Sequence, residues 1–113
     1  MKIDSLYICV KDMNRAVSFY EALFERTVTE KDDVYSVFDL DGFRFGLFAY
    51  QEVNERHTFG NNCLPSISFE NREVLEKKLS GMEICFPLTK IRGNWVAEIA
   101  DSEGNHIELT APV

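Results

Sequence analysis

The sequence has few cysteines and none of the spacings that bind zinc or support dithiol redox chemistry. Its three cysteines, Cys9, Cys63 and Cys85, include no C-x-x-C pair. Zinc ribbons and redox-active disulfides are therefore disfavoured. An odd cysteine count at irregular spacing is typical of reduced thiols, and the opening Met-Lys-Ile-Asp-Ser lacks the apolar core of a secretory signal. Both features predict a cytoplasmic protein, in which Cys9 and Cys85 act as small residues inside strands.

Basic residues are also scarce. Twelve Lys and Arg stand against nineteen Asp and Glu, a net charge of −7, whereas binding to a phosphate backbone requires a basic face. The apolar runs are too short to cross a membrane. We therefore expect neither a nucleic-acid partner nor membrane insertion. What the chain does have is 113 residues with nine Phe and four Tyr, enough apolar surface for one folded domain.

One motif occurs twice in the chain. Residues 39–47 and 101–109 both read Asp-x-acid-Gly-x-x-apolar-x-Leu, at an offset of 62 residues. Residues 5–8, Ser-Leu-Tyr-Ile, align with residues 66–69, Ser-Ile-Ser-Phe, at an offset of 61. Self-similarity at a nearly constant spacing indicates two structural repeats.

The repeats predict a single domain, residues 1–113, in which modules at about 1–50 and 64–113 are joined by a loop at 51–63. Each module has the order βαβββ, which defines an α+β fold class with one helix per module. The helices begin at the N-caps Asp12 and Asn71, because these side chains can accept amide hydrogens of the first turn. Gly81 ends the second helix. The predicted strands are 3–10, 26–30, 34–39, 43–49, 64–69, 82–86, 94–100 and 105–110, with tight turns at 39–42 and 101–104.

Period-two alternation assigns the strand side chains to two faces. One face is uniformly apolar and is expected to pack under the helices. The opposite face mixes polar and aromatic groups, which is typical of a ligand pocket; the alternative is a solvated face. The residues expected on this second face are Ser5, Tyr7, Cys9, Arg44, Gly46, Phe48, Leu64, Ser66, Ser68, His106, Glu108 and Thr110.

Two segments carry a family resemblance. Residues 10–20, Val-Lys-Asp-Met-Asn-Arg-Ala-Val-Ser-Phe-Tyr, and residues 101–109, Asp-Ser-Glu-Gly-Asn-His-Ile-Glu-Leu, are similar to motifs of the vicinal oxygen chelate superfamily. That superfamily includes glyoxalase I, extradiol dioxygenases, fosfomycin-resistance enzymes and bleomycin-resistance proteins. The resemblance implies a glyoxalase-like curved mixed sheet and a homodimer. It indicates the fold more strongly than any reaction, because function depends on the site.

The resemblance also implies where a metal would bind. Metal-dependent members place one ligand on each of four strands, and these positions fall on Ser5, Gly46, Ser66 and Glu108. Only Glu108 is a competent ligand, since glycine has no side chain and a serine hydroxyl binds metals poorly. We therefore predict no metal and no cofactor.

Two alternatives stay open for the residues around Glu108. Cys9, His106 and Glu108 share the predicted pocket face and carry groups that can bind zinc. Glu108 can also pair with Arg44 or His106 as a structural ion pair, or it can contact a cationic or hydrogen-bonding ligand.

The sequence thus favours a metal-free small-molecule-binding protein that resembles the bleomycin-resistance branch. Its acidic balance predicts a cationic ligand, and its aromatic residues predict stacking on an aromatic one. The alternatives are a metal-dependent glyoxalase- or dioxygenase-like enzyme with a non-standard site, in which Glu108 is a general base, and a regulatory module with an empty pocket. The expected ligand-binding residues are Ser5, Tyr7, Arg44, Phe48, Ser66, Ser68, Trp95, His106 and Glu108.

Overall fold

A computed structural model describes residues 1–60 and 62–113, which form two compact units, Met1–Thr58 and Phe59–Val113. The boundary between the units falls inside the predicted loop 51–63, of which residue 61 lies outside the described residues. The first unit contains β1 (Ser5–Cys9), α1 (Met13–Phe24), β2 (Tyr35–Leu40), β3 (Phe43–Phe48) and a 3-10 helix at Tyr50–Val53. The second unit contains β4 (Ser66–Ser68), α2 (Arg72–Leu79), β5 (Glu83–Ile91), β6 (Asn94–Ala100) and β7 (His106–Pro112). The predicted α+β fold class is confirmed.

The sheet of the first unit has the order β1-β3-β2, with β1 parallel and β2 antiparallel to β3. The strand predicted at 26–30 is reduced to an isolated bridge between Glu30 and Val37. The physical reason is that the end of α1 takes the amides that a strand needs. Arg26 N donates to Glu21 O at 3.2 Å, and Val28 N donates to the Glu21 carboxylate at 2.9 Å.

The sheet of the second unit has the order β4-β7-β6-β5, with β4 parallel to β7 and the other pairs antiparallel. The strand predicted at 82–86 is longer in the structure, where β5 continues past Pro87 to Ile91. Proline lacks the amide that a central ladder requires, but β5 lies at the edge of this sheet, where proline is tolerated. The register shifts between Phe86 and Thr89 accommodate it.

Both predicted N-caps are confirmed. The Asp12 carboxylate accepts a hydrogen bond from Arg15 N at 3.0 Å, and the Asn71 side chain accepts one from Val74 N at 3.0 Å. Gly81 follows α2 with a φ of 78°, in the left-handed region that favours glycine.

The apolar face of α1 covers one face of the first sheet. The Tyr20 ring is fully buried, with its centroid 5.0 Å from that of Phe45 and 6.4 Å from that of Phe38. The buried residues of α1 are Met13, Ala16, Val17, Tyr20 and Leu23. Among the described residues, no helix is both long enough and apolar enough to cross a membrane.

The two predicted turns have different geometries. Between β2 and β3, Asp41 and Gly42 both have positive φ, 56° and 97°, as a two-residue hairpin turn requires. Between β6 and β7, the buried Asp101 carboxylate accepts hydrogen bonds from Glu103 N and Asn105 N, each at 2.8 Å. The second turn sets a register that places Glu98 directly opposite Glu108.

Candidate functional site

Three aromatic side chains cover the face of the first sheet that lies opposite α1, and we call Tyr7, Tyr35 and Phe48 the aromatic face. The Tyr35 and Phe48 rings stack with centroids 4.9 Å apart and planes 9° from parallel. The Tyr7 and Tyr35 rings are nearly perpendicular, with centroids 5.8 Å apart. Tyr7 is 40% exposed and Tyr35 is 49% exposed. Exposed rings grouped in this way form an apolar platform on which a planar ligand can stack.

The Tyr7 ring lies directly over Gly46, its neighbour in the β1–β3 ladder. A Cβ atom added at Gly46 would lie 2.3 Å from Tyr7 Cδ2 and 2.7 Å from Tyr7 Cγ. Only glycine fits beneath the ring in this arrangement. Gly46 is also the second metal-ligand position implied by the family resemblance. The ring therefore fills the space that a ligand side chain would require.

Tyr50 and His57, which follow β3 in the chain, extend the aromatic face. The His57 ring meets Phe48 at 5.6 Å and Tyr50 at 5.1 Å between centroids, both edge to face. His57 Nε2 lies 3.4 Å from a carboxylate oxygen of Glu55. His57 was not among the residues predicted from the sequence, because nothing in a loop pattern shows which rings a loop histidine will meet.

Arg44 lies on the same face of the first sheet, opposite Ser5 in the β1–β3 register. Its Nη2 atom lies 2.7 Å from Glu30 Oε2. The hydrogen bond to Glu30 raises the pKa of Arg44 above its ordinary value. The guanidinium therefore stays charged at the edge of the sheet and is held by Glu30, the residue of the isolated bridge.

A second group of side chains lies on the face of the second sheet opposite α2, and we call Ser66, Glu98, His106 and Glu108 the polar face. Ser66 Oγ donates to Glu108 Oε1 at 2.6 Å, and His106 Nδ1 lies 2.5 Å from Glu98 Oε1. His106 thus pairs with Glu98 rather than with Glu108. Ser68 continues this face beside Ser66, opposite Thr110.

Glu98 was not among the site residues predicted from the sequence. The signal that could have found it is the β6–β7 hairpin, since residues equally distant from the turn at 101–104 lie opposite one another. Two carboxylates directly opposite on one sheet face repel each other. Here a hydroxyl satisfies Glu108 and an imidazole satisfies Glu98, so each has its own hydrogen-bond partner.

Cys85 on β5 borders the polar face. Its Sγ atom lies 3.7 Å from His106 Nε2. Partial desolvation of the thiol, with a smaller contribution from the carboxylates of Glu83 and Glu98, raises the pKa of Cys85. Cys9 belongs to the first unit, where burial and Glu55 raise the pKa of its thiol. Both thiols are therefore neutral near pH 7.

Trp95 lies on the other face of the second sheet. It is opposite Ala111 in the β6–β7 register, and the Arg72 guanidinium of α2 lies 4.1 Å from its ring centroid. This cation–π contact ties the helix to the sheet. The structure therefore groups Ser66, Ser68, His106 and Glu108 on one face and places Trp95 on the opposite one.

The four positions at which the resemblance implies metal ligands offer one competent ligand, Glu108. Residues 1–60 and 62–113 contain no group of three or more His, Cys, Asp and Glu side chains able to hold one, so the zinc alternative of Cys9, His106 and Glu108 finds no support in them. Of the four positions implied by the resemblance, Gly46 lies under Tyr7 and Ser66 donates to Glu108.

The first unit also has a polar cavity of about 310 Å³ beside the start of α1. Its lining residues are Lys11, Asp12, Met13, Asn14, Asp33, Ala49, Gln51 and Glu52. Asp12 already caps α1, and the Gln51 side chain donates to Lys11 O. Asp12 and Gln51 therefore shape the connection into the helix.

Comparisons with known proteins identify the family and the fold of the chain. The profile of the Glyoxalase/Bleomycin resistance protein/Dioxygenase superfamily matches residues 2–112. The chain belongs to this superfamily, and the predicted resemblance is confirmed. No curated protein sequence matches the chain.

Several solved structures share the fold at low sequence identity. A glyoxalase-related enzyme from Fulvimarina pelagi is 13% identical with a TM-score of 0.79, covering 97% of this chain and 87% of its own. A lactoylglutathione lyase from Agrobacterium tumefaciens is 15% identical with a TM-score of 0.76, covering 97% and 92%. A glyoxalase/bleomycin resistance protein/dioxygenase from Nocardioides is 15% identical with a TM-score of 0.79, covering 100% and 84%. At such identities the likeness shows the fold alone.

Proposed function

We propose that this protein binds a small molecule without a metal ion, and that the ligand carries an aromatic ring. The observation that carries the proposal is the Tyr7 ring over Gly46, at the position where a metal-dependent relative would supply a ligand. A tyrosine ring in that space replaces a coordinating group with an apolar stacking surface. The chemistry of the face is therefore that of a binding platform.

The charge of the chain favours a cationic aromatic ligand. Aromatic ring faces attract cations, and the effect adds to ordinary stacking. The net charge of −7 attracts a positively charged molecule over longer distances. In the second unit, Ser66, Ser68, His106 and Glu108 are proposed to bind hydrogen-bonding or cationic groups. In the first unit, Ser5 and Arg44 are proposed to contact the ligand at the edge of the aromatic face.

The test is calorimetric titration with 1-methylquinolinium, a planar aromatic cation, and with tetramethylammonium as a cation without a ring. We expect saturable binding of the first and weaker binding of the second. Tyr35→Ala should weaken binding of the aromatic cation by about tenfold, which corresponds to about 1.4 kcal/mol and lies within the range of an aromatic pair.

Phe43→Ala is the matched control, because Phe43 is 48% exposed on the same sheet but alternates to the helix-covered side. It should leave the affinity unchanged. Equal effects of the two variants, or no saturable binding of the aromatic cation, would contradict binding at the aromatic face.

The competing function is a metal-dependent enzyme that uses Glu108 as a general base. Elemental analysis of natively purified protein, repeated after dialysis against divalent metals, separates the two. We expect no metal beyond trace amounts. Near-stoichiometric metal that is lost in Glu108→Ala would overturn the metal-free proposal and favour the enzyme.

The proposal includes a homodimer and a cytoplasmic location, as the family resemblance and the cysteine content imply. Light scattering after size-exclusion chromatography should give twice the mass of one chain. A mass of one chain at micromolar concentration would remove the homodimer from the proposal and leave the binding site as stated.

A further inference from the structure

Three side chains form a continuous hydrogen-bonded row in the second unit, and the row ends in an exposed thiol. Cys85 Sγ lies 3.7 Å from His106 Nε2, and His106 Nδ1 lies 2.5 Å from Glu98 Oε1. The side chains of His106 and Glu98 are 28% and 23% exposed. Strands β5, β7 and β6 supply one residue each.

The row has a definite direction of hydrogen bonding. An ionised carboxylate can only accept, so the hydrogen between His106 and Glu98 belongs to Nδ1. A neutral imidazole carries one N–H, and Nε2 is then left with a lone pair that faces the Cys85 thiol. Thiol, imidazole and carboxylate in this order have the geometry of an activated nucleophile with its base and the group that orients the base.

The local structure explains how the row forms. The β6–β7 register places Glu98 opposite Glu108, and the Ser66 hydroxyl already donates to Glu108. Glu98 is therefore the carboxylate that accepts from His106. Cys85 lies at a register shift of β5 between Ile84 and Phe86. Such irregularities change the direction in which side chains point, and here the Cys85 thiol contacts the His106 imidazole.

We infer that Cys85 is a covalent-addition site for small α,β-unsaturated carbonyl compounds, with His106 as its base and Glu98 as a positioning residue. Cys85 Sγ forms a bond to the β-carbon of the electrophile, and the π electron pair of the double bond moves to the α-carbon. The thiol proton passes to His106 Nε2 and then to the α-carbon. No atom is left over, and the addition requires no oxidant, reductant or further co-reactant.

The state of the resting thiol explains why the base matters. Partial desolvation and the nearby carboxylates of Glu83 and Glu98 raise the pKa of the Cys85 thiol, so it is protonated before attack. Thiols of higher pKa are more nucleophilic once deprotonated. A base 3.7 Å away that accepts the proton during attack therefore increases the rate.

The test compares Cys85 with Cys63, an exposed thiol in the same unit. The full chain is treated with limiting acrylamide, and the rate of modification at each cysteine is followed by mass spectrometry of peptides. We expect Cys85 to react faster than Cys63. His106→Ala should slow Cys85 by about 100-fold, the lower end of general-base effects, and should not slow Cys63. Glu98→Gln should give a smaller loss at Cys85.

Added imidazole distinguishes a chemical role of His106 from a structural one. It should restore the rate at Cys85 in His106→Ala, since a free base can then accept the thiol proton. His57→Ala, which removes the other histidine of the chain, is the matched control and should leave the rate unchanged. Equal rates at Cys85 and Cys63 in the unaltered protein would overturn the inference, and so would a loss in His106→Ala that imidazole does not restore. If His106→Ala does not fold, the unaltered protein and Glu98→Gln decide the outcome.

The covalent site shares His106 with the proposed binding surface but depends on a different observation, the contact of Cys85 with His106 rather than the Tyr7 ring over Gly46. Cys85→Ser should abolish acrylamide addition at position 85 and leave the affinity for 1-methylquinolinium unchanged. Failure of the addition with normal binding would remove only the covalent site, and failure of binding with normal addition would remove only the proposed function.

Discussion

Placing a methyl group beneath the Tyr7 ring is the most direct test of the aromatic face. In Gly46→Ala the new Cβ would lie 2.3, 2.4 and 2.7 Å from three Tyr7 ring carbons, well inside the 3.4 Å at which ordinary contact begins. The ring cannot retreat freely, because it packs perpendicular to Tyr35, which is stacked on Phe48. Overpacking of this kind costs about 1 to 3 kcal/mol. For a domain of this length, each kcal/mol lowers the Tm by about 4 °C.

Urea denaturation gives the free energy of unfolding of four proteins: the unaltered chain, Gly46→Ala, Tyr7→Ala and the double variant. Their comparison shows how much Gly46→Ala destabilises the fold and whether the Tyr7 ring is the reason. If the Tyr7 ring causes the clash, Gly46→Ala should lower the free energy of unfolding when Tyr7 is present. It should change this free energy little when Tyr7 is already alanine. The coupling free energy should then be about 1 kcal/mol or more.

Gly93→Ala is the matched control, because a Cβ at Gly93 meets nothing within 4 Å and its φ lies outside the left-handed region. Its free energy of unfolding should change by about 0.5 kcal/mol or less. A Gly46→Ala protein as stable as the unaltered chain, with no coupling to Tyr7, would refute the close approach of the ring and with it the statement that the ring fills the space of a ligand side chain.

Three further changes test local features of the first unit. Asp12→Ala should lower the free energy of unfolding in urea by about 1 kcal/mol, because α1 loses its N-cap. Gly42→Ala should lower it by about 1 to 2 kcal/mol, because φ at this position is 97°; an Asp41→Gly protein that is destabilised as strongly would contradict the turn geometry. Hydrogen bonds from Tyr35 N and, to a smaller extent, Val34 N lower the pKa of Asp32. The stabilisation that the Asp32 carboxylate provides is therefore present above its ordinary pKa and is lost as the pH falls through its lower folded pKa. The Tm difference between the unaltered chain and Asp32→Asn should accordingly shrink on acidification, and a pH-independent difference would contradict this.

The features predicted correctly from the sequence are the local ones. Asp12 and Asn71 cap their helices because a capping side chain needs only the amides two or three residues ahead. The alternation of the strands places Ile8, Phe45 and Ile107 in the core because successive side chains always point to opposite faces. The order of elements and the two turns follow from the same short-range rules.

The features that were missed depend on hydrogen-bond partners that the local sequence pattern does not specify. The strand expected at 26–30 did not form because Glu21 takes two of its amides. The row of Cys85, His106 and Glu98 requires the register of three strands, which local propensity leaves undetermined. No pattern of residue types shows that His106 pairs with Glu98 instead of Glu108.

Gly46 shows most clearly the difference between what the sequence determines and what the tertiary structure determines. Residue identity alone showed that this position offers no metal ligand, because glycine has no side chain. Only the parallel pairing of β1 with β3 showed that Tyr7 covers it. Residue identity and local backbone preference are properties of neighbours along the chain, whereas the surface presented to a ligand depends on which strands pair and in what register.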